Sequence, residues 1–288
     1  MINITDEKRR MLTVYQQRDC PNVLGRMCEK PSCQCELLAE YSALKNLLIP
    51  NGYANYTIKD FTGVLGKDGQ LEAKTTIRAK KKVINYCYGD VSLEEAQSLT
   101  EEELSQRSII ADRLNNGHSV VIHGDSSRVF SESNDDFSKV VKELPLGRTF
   151  IASVLSREAA GLSIQKEHHK KSFEWIDFAN LAKSLTGKSV DERYESAYYE
   201  DCEWLVVDDI SASSLMASNA QKAWTEPLYN AFFSYRHKKR LTSILVFRFD
   251  VNKRRSDLES TFGNALVKII EDKNTAVIGL TPDQGSNG

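Results

Sequence analysis

The sequence predicts an α/β fold in which a parallel sheet is flanked by helices on both faces. Two observations carry this reading. The segments His118–His123 (HSVVIH), Phe173–Ile176, Trp204–Val207 (WLVV), Ser243–Phe247 and Thr275–Leu280 are short and continuously apolar, without the alternation of a half-exposed strand. Strands buried on both faces have this composition. Helical stretches lie between them, at Arg148–Ala160, Asp177–Thr186 and Gln221–Tyr235, and such alternation is the pattern of a parallel sheet. With 288 residues, 41% of them hydrophobic, the chain can bury one substantial core and carry a small extra module.

Taken in order, residues 1–60 read as a cysteine-rich segment, and residues 61–288 as a single larger domain. Within the first segment a helix is expected over Glu36–Leu48, stopped by Pro50 and Gly52. Tyr53–Gly63 (YANYTIKDFTG) reads as a docking segment, followed by a polar stretch, Lys67–Lys82. Thr100 and Glu103 have capping-box spacing. They open what reads as one helix to Asn116, carrying Leu104, Ile109, Ile110 and Leu114 and stopping at Gly117.

Charged residues make up 27% of the chain and nearly cancel, to a formal net charge of -2. That excludes a globally basic nucleic-acid coat but leaves local basic patches open. No segment approaches the ~18 consecutive apolar residues of a membrane span, and MINITDEKRRMLTVYQQRDC lacks the apolar stretch of a secretory signal. A cytoplasmic setting without membrane contact is expected.

Ligands of parallel sheets bind beyond the carboxyl ends of the strands. A phosphate-binding loop needs a strand, a turn of inward-facing backbone N–H groups, a lysine for phosphate and a Ser or Thr for magnesium at a helix start. Here SVVIH is followed by Gly124, and the next helix opens at Gly147-Arg148-Thr149, GRT where GKT would be expected. The intervening stretch is long and polar, and Lys142 stands where the motif wants glycine. Gly124, Gly147, Arg148 and Thr149 are the candidate nucleotide-binding residues, with Thr149 also a magnesium ligand. On this motif alone, a helix start that merely follows a loop remains an equal alternative. A literal GKS at Gly187-Lys188-Ser189 has no preceding apolar strand and reads as a surface turn. The WLVV segment ends in Asp208 and Asp209. Asp208 suits the magnesium shell and Asp209 the polarisation of an attacking water; turn-forming aspartates at a strand end are the alternative, which their place two strand–helix units beyond the loop makes the weaker one.

Four of the six cysteines, Cys20, Cys28, Cys33 and Cys35, fall within sixteen residues. They supply enough soft ligands for tetrahedral zinc, although the Cys-x-Cys pair is tighter than usual, and reduced, unligated thiols are the alternative. Two basic clusters, Arg236–Arg240 and Lys253-Arg254-Arg255, stand near element ends. The second, read as a loop, is the candidate DNA-binding surface; the first reads slightly better as a helix end whose cations offset the dipole.

The stretches CQCELLAEYSALKNLLIPNGYANYTIKDFTG, NNGHSVVIHG, LGRTFIASVLSREA, FEWIDFANL, CEWLVVDDIS and TSILVFRFD, in this order, resemble the AAA+ helicase-loader family (DnaC/DnaI/IstB-like), especially bacteriophage versions. The resemblance implies a P-loop AAA+ type sheet, ATP with Mg2+, single-stranded DNA and a replicative helicase as partners, and a homo-oligomer when assembled. It places the protein in the cytoplasm of a bacterial or phage-infected host cell and in DNA replication initiation. It also places an arginine finger within Gly263–Ile269, where this chain has Lys268, and a polar sensor where Arg248 and Asp250 stand. With Arg148 in the lysine position, these departures imply weak or absent ATP hydrolysis. A non-hydrolysing pseudo-ATPase adaptor and an IstB-like transposition-assisting ATPase stay open.

Overall fold

The computed structural model describes residues 57–61, 73–125, 127–131, 140–144, 147–165, 173–187 and 189–281. The cysteine cluster and the helix expected over Glu36–Leu48 lie outside the described residues.

Five strands form one all-parallel sheet: β1 (Val120–His123), β4 (Phe173–Asp177), β5 (Trp204–Ile210), β6 (Thr242–Phe247) and β7 (Ala276–Gly279), in the order β4-β5-β6-β1-β7. These are the five segments expected as strands. A hairpin of β2 (Ser127–Ser131) and β3 (Val140–Leu144), antiparallel, occupies the long polar stretch after β1.

Alternate side chains of each strand point to opposite faces, and the core divides accordingly. On one face Val120, Ile122, Trp204, Val206, Ile244 and Val246 meet α1 (Ala73–Tyr88) and α5 (Arg148–Gln165). On the other, Val121, Leu205, Val207, Leu245 and Phe247 meet α6 (Phe178–Thr186), α8 (Asn219–Lys238), α9 (Arg255–Phe262) and α10 (Asn264–Glu271). The buried indole of Trp204 donates to Ser156 Oγ at 3.1 Å and so ties β5 to α5 without an orphaned polar atom.

Several elements differ from expectation. The polar stretch Lys67–Lys82 contributes its end to α1, whose Ala79, Val83, Ile84 and Cys87 are buried against the sheet. Lysine stems on the outer face of a helix do not oppose helicity, so the charge of Lys80-Lys81-Lys82 masked an amphipathic helix. The single helix expected from Thr100 to Asn116 is two, α3 (Glu101–Gln106) and α4 (Ile110–Asn115), preceded by a short α2 (Leu93–Ser98). The capping box is present, Thr100 N donating to Glu103 Oε2 at 2.7 Å and Glu103 N to Thr100 Oγ1 at 3.3 Å. The break comes where Ile109 N leaves the helical ladder to donate to Cys87 O at 2.8 Å, so Ile110 is fully buried. Beyond the GKS decoy, Ser189 caps a further helix, α7 (Val190–Asp201), closed with Glu192 as a capping box.

The docking segment supplies Thr57–Phe61, in which a short 3-10 turn (Ile58–Asp60) is capped by Thr57. Ile58 and Phe61 are buried in the same core as α1 and α5. Residues on both sides of the boundary at residue 60 therefore belong to one packed body. The cluster Lys253-Arg254-Arg255, expected as a loop, runs through a 3-10 turn (Val251–Arg254) into α9.

Candidate functional site

Because β6 lies between β1 and β5, the carboxyl ends of three adjacent strands form one edge. Gly124 follows β1, Asp208 and Asp209 end β5, and Arg248 follows β6. The start of α5 is held over this edge. Thr149 Oγ1 donates to Asp208 Oδ2 at 3.1 Å, joining positions 59 residues apart. The turn at Gly147 and the acidic end of WLVV thus converge.

The turn is built around Gly147, which sits at φ 74°, in the left-handed region. A Cβ there would lie 2.5 Å from Phe61 Cε2, and the Phe61 ring stacks on Phe150 with centroids 5.7 Å apart. Glycine is needed twice at this position, for backbone conformation and for the approach of an aromatic ring. The 18-residue α5 begins at Arg148, and the positive end of its dipole is of the kind that attracts anions.

Arg148 folds back across the turn, its Nη1 donating to Gly124 O at 2.6 Å. The N–H of Gly124 is itself taken, donating to Phe249 O at 3.2 Å. Arg148 therefore closes the base of the hairpin insertion by bonding the backbone, a role its planar, multi-donor head suits better than a lysine ammonium.

Asp208 is 8% exposed. Burial pushes its carboxyl pKa up, only partly offset by hydrogen bonds from Asp209 N, at 2.7 Å, and from Thr149. Asp209 has φ 66°, unusual for a residue with a side chain, at the irregularity between Val207 and Ile210 in the β5–β6 pairing. Such a bulge re-aims the side chain, and here Asp209 forms an ion pair with Arg248. Asp177, paired in register with Asp208 across β4 and β5, adds a third carboxylate to the edge. Its position after the strand Phe173–Ile176 was the available signal, and the sequence alone placed it only as the first residue of a helix.

A second polar group joins Lys253 and Asp250, which the sequence singled out for other roles, to Asp125 and His123, which it did not single out. Lys253 Nζ donates to Asp125 Oδ2 at 3.0 Å, Asp250 N donates to Asp125 Oδ1 at 3.0 Å, and His123 Nδ1 lies 3.4 Å from Asp250 Oδ1. Burial depresses the His123 pKa despite the neighbouring carboxylates.

The remaining expected residues stand apart from the Thr149–Asp208 contact. Each cation of the candidate DNA surface has a carboxylate partner: Lys253 has Asp125, Arg254 has Asp257 at 3.8 Å, and Arg255 has Glu271. Lys268 is exposed on α10, whose buried face packs on the α8–α9 side of the sheet. Arg236, from the other basic cluster, is fully buried. It donates to the carbonyls of Tyr199, Glu200, Cys202 and Thr242 and to Ser243 Oγ.

A hydroxyl and a carboxylate 3.1 Å apart are hard oxygen donors suited to Mg2+. No group of three or more His, Cys, Asp or Glu able to hold a metal occurs among the described residues, so such an ion would need phosphate or water oxygens as well. No helix among the described residues is long and apolar enough to cross a membrane.

Among solved structures, the chain is similar to the DnaC helicase loader, at 14% identity and a TM-score of 0.44, over 78% of this chain and 98% of that one. It is also similar to DnaI, at 12% identity and a TM-score of 0.42, over 81% of this chain and 92% of that one. No family model matches the chain, and no curated protein matches it by sequence.

Proposed function

We propose that the chain is an ATP-regulated helicase loader that acts on single-stranded DNA in replication initiation, with weak or absent hydrolysis. The observation that supports the nucleotide site is the 3.1 Å contact between Thr149 and Asp208. It joins a helix start behind a left-handed glycine to the acidic end of a buried strand, the two halves that a triphosphate and its magnesium require. The loader role follows from the order of motifs along the sequence.

In this reading Thr149 and Asp208 hold Mg2+, and the first turn of α5 receives phosphate. The ion would neutralise phosphate charge when bound. Asp208, buried and reluctant to ionise, would gain from a cation, because hydrogen bonds from Asp209 N and Thr149 offset its burial only in part. Asp209 is the residue placed to orient water. Two observations favour slow turnover. Asp209 is engaged by Arg248, and one Arg148 donor is held by Gly124 O. They equally suit a non-hydrolysing adaptor, which would bind nucleotide but release no phosphate.

Phosphate release by the full chain, with a replicative helicase and single-stranded DNA present, tests the proposal. Turnover above that of Asp208→Ala supports an ATPase. Equal turnover with retained, Asp208-dependent binding of an ATP analogue supports the adaptor. Binding that ignores Asp208 removes the site.

A further inference from the structure

At the opposite end of the sheet, before β6, β1 and β7, an open cleft of about 490 Å³ is lined by His118, His237, Arg240, Asp272 and Lys273 among others. We propose that this cleft is a contact surface for the phosphodiester backbone of a nucleic-acid strand; the choice of single-stranded DNA rests on the loader reading.

The floor of the cleft is made by two helix ends meeting back to back. α4 ends with Gly117 N donating to Leu114 O at 3.1 Å and His118 N to Arg113 O at 2.9 Å. α8 ends in the same way, Arg240 N donating to His237 O at 3.1 Å and Leu241 N to Arg236 O at 2.9 Å. Both closures put their penultimate residue in the left-handed region, Gly117 at φ 65° and Arg240 at φ 54°. Glycine is the usual occupant of that position. At Gly117 it is compulsory, because a Cβ would fall 2.2 Å from Arg240 O. At position 240 the chain keeps arginine, at a cost of about 1 kcal/mol. Favourable placement of cations in a last helical turn accounts for residues 236–238; it does not account for a side chain at a backbone position that favours glycine. A retained arginine there points to use of its side chain.

The charges around the cleft support the same conclusion. None of the ion pairs among the described residues involves Lys238, Lys239, Arg240 or Lys273, whereas Lys253, Arg254 and Arg255 are all paired. The one acidic group lining the cleft, Asp272, is shared between His237 Nε2, at 3.6 Å, and the backbone N–H of Asn274, at 2.8 Å. His118 is neutral on geometric grounds: Arg113 Nη1, which can only donate, lies 2.9 Å from His118 Nδ1; burial and then Arg113 depress the His118 pKa, against a smaller upward pull from Asp272. Arg240 and Lys273 in the lining, with Lys239 next to Arg240 in the chain and over the Tyr235 ring at 5.7 Å, and neutral imidazole and amide donors suit phosphate oxygens of any sequence. No Phe, Tyr or Trp lines the cleft, so contact through the backbone rather than base stacking on such rings is expected.

The test is fluorescence anisotropy of a labelled oligothymidylate with the full chain over a series of chloride concentrations. Three exposed cations are replaced together, Lys239→Gln, Arg240→Asn and Lys273→Gln; asparagine tolerates the left-handed position. The expected result is a loss of about tenfold or more in affinity, with the salt dependence flattened by about two logarithmic units per decade, at ~0.7 per lost single-strand phosphate contact. Lys253→Gln/Arg254→Gln/Arg255→Gln is expected to stay within about twofold of wild type. The cleft assignment is overturned if wild type does not bind, if the cleft variant binds like wild type, or if the second variant suffers the loss instead. Displacement of the strand by inorganic phosphate at matched ionic strength would also overturn it, by indicating a small-anion site. ATP-analogue binding, measured on the same samples, reports separately on Thr149 and Asp208, so failure of the nucleotide reading leaves a different signature.

Discussion

Two buried charges with opposite circumstances set the behaviour of single residues. Asp208 is a carboxylate whose pKa is raised by burial. Its folded value therefore exceeds its unfolded value of about 3.9. The native state then holds the proton more tightly, and stability from this group is full below that pH and lost as pH rises through the folded value. Asp208→Asn is accordingly expected to raise the thermal midpoint of the nucleotide-free protein, with a gap over wild type that is absent near pH 4 and widens toward neutrality. The same variant is expected to lose the Mg2+-nucleotide shift in that midpoint. A gap that narrows with rising pH would contradict this account of burial. Arg236, by contrast, is buried with its donors engaged by four carbonyls and a hydroxyl. It pins the end of α7 and the starts of β5 and β6 together. Arg236→Met would orphan those acceptors and is expected to cost about 3–5 kcal/mol in chemical denaturation. A loss below about 1 kcal/mol would show that water or neighbouring donors replace it.

At the scale of elements, the turn at Gly147 depends on a segment far away in sequence. Phe61 covers Gly147 and stacks on Phe150, so the turn is shaped by an aromatic ring as much as by its own backbone. Gly147→Ala is expected to cost about 2–4 kcal/mol, from a strained φ and from overpacking against the ring. Phe61→Ala should cost a similar ~3 kcal/mol through the cavity left behind. The double variant should be less destabilised than the sum by about 1 kcal/mol or more, because truncating the ring removes the clash. Strict additivity in a denaturation cycle would mean that the two residues do not sense each other. Gly147 was legible from the GRT string. Its partner was not, since nothing in YANYTIKDFTG specifies which turn the phenylalanine covers.

Across the whole molecule, stability is concentrated in the middle of the sheet. Every residue of β1 and β6 is buried, as are six of the seven in β5, whereas α7 has none. Amides of these three strands should exchange with solvent only by global unfolding, and those of α7 at least ~100-fold faster through local opening. Equal protection would indicate that α7 is covered by a contact outside the chain. Val190, Tyr194 and Tyr198, exposed at four-residue spacing along that helix, make this a readable outcome. The sheet also separates the two candidate surfaces. The Thr149–Asp208 contact lies at its carboxyl edge, and Arg240 and Lys273 lie at its amino edge, which is why each can be altered without directly touching the other.

The five parallel strands, the α5 start and the acidic pair were legible in the amino-acid order because each depends on local composition. A buried strand must be apolar along its length, and a helix start or strand end leaves its mark within a few residues. Convergence of Thr149 on Asp208, the pairing of Arg248 with Asp209 and the burial of Arg236 were decided only by tertiary structure. So were the break in the helix after Thr100, where Cys87 O captures Ile109 N, and the neutralisation of Lys253-Arg254-Arg255 by partners up to 128 residues away. The physical reason is common to all of them. Charges and hydrogen-bond donors carry no record of their partner in their own sequence neighbourhood, and burial, which decides whether a charge binds ligand or merely holds the fold, is a property of the packed whole.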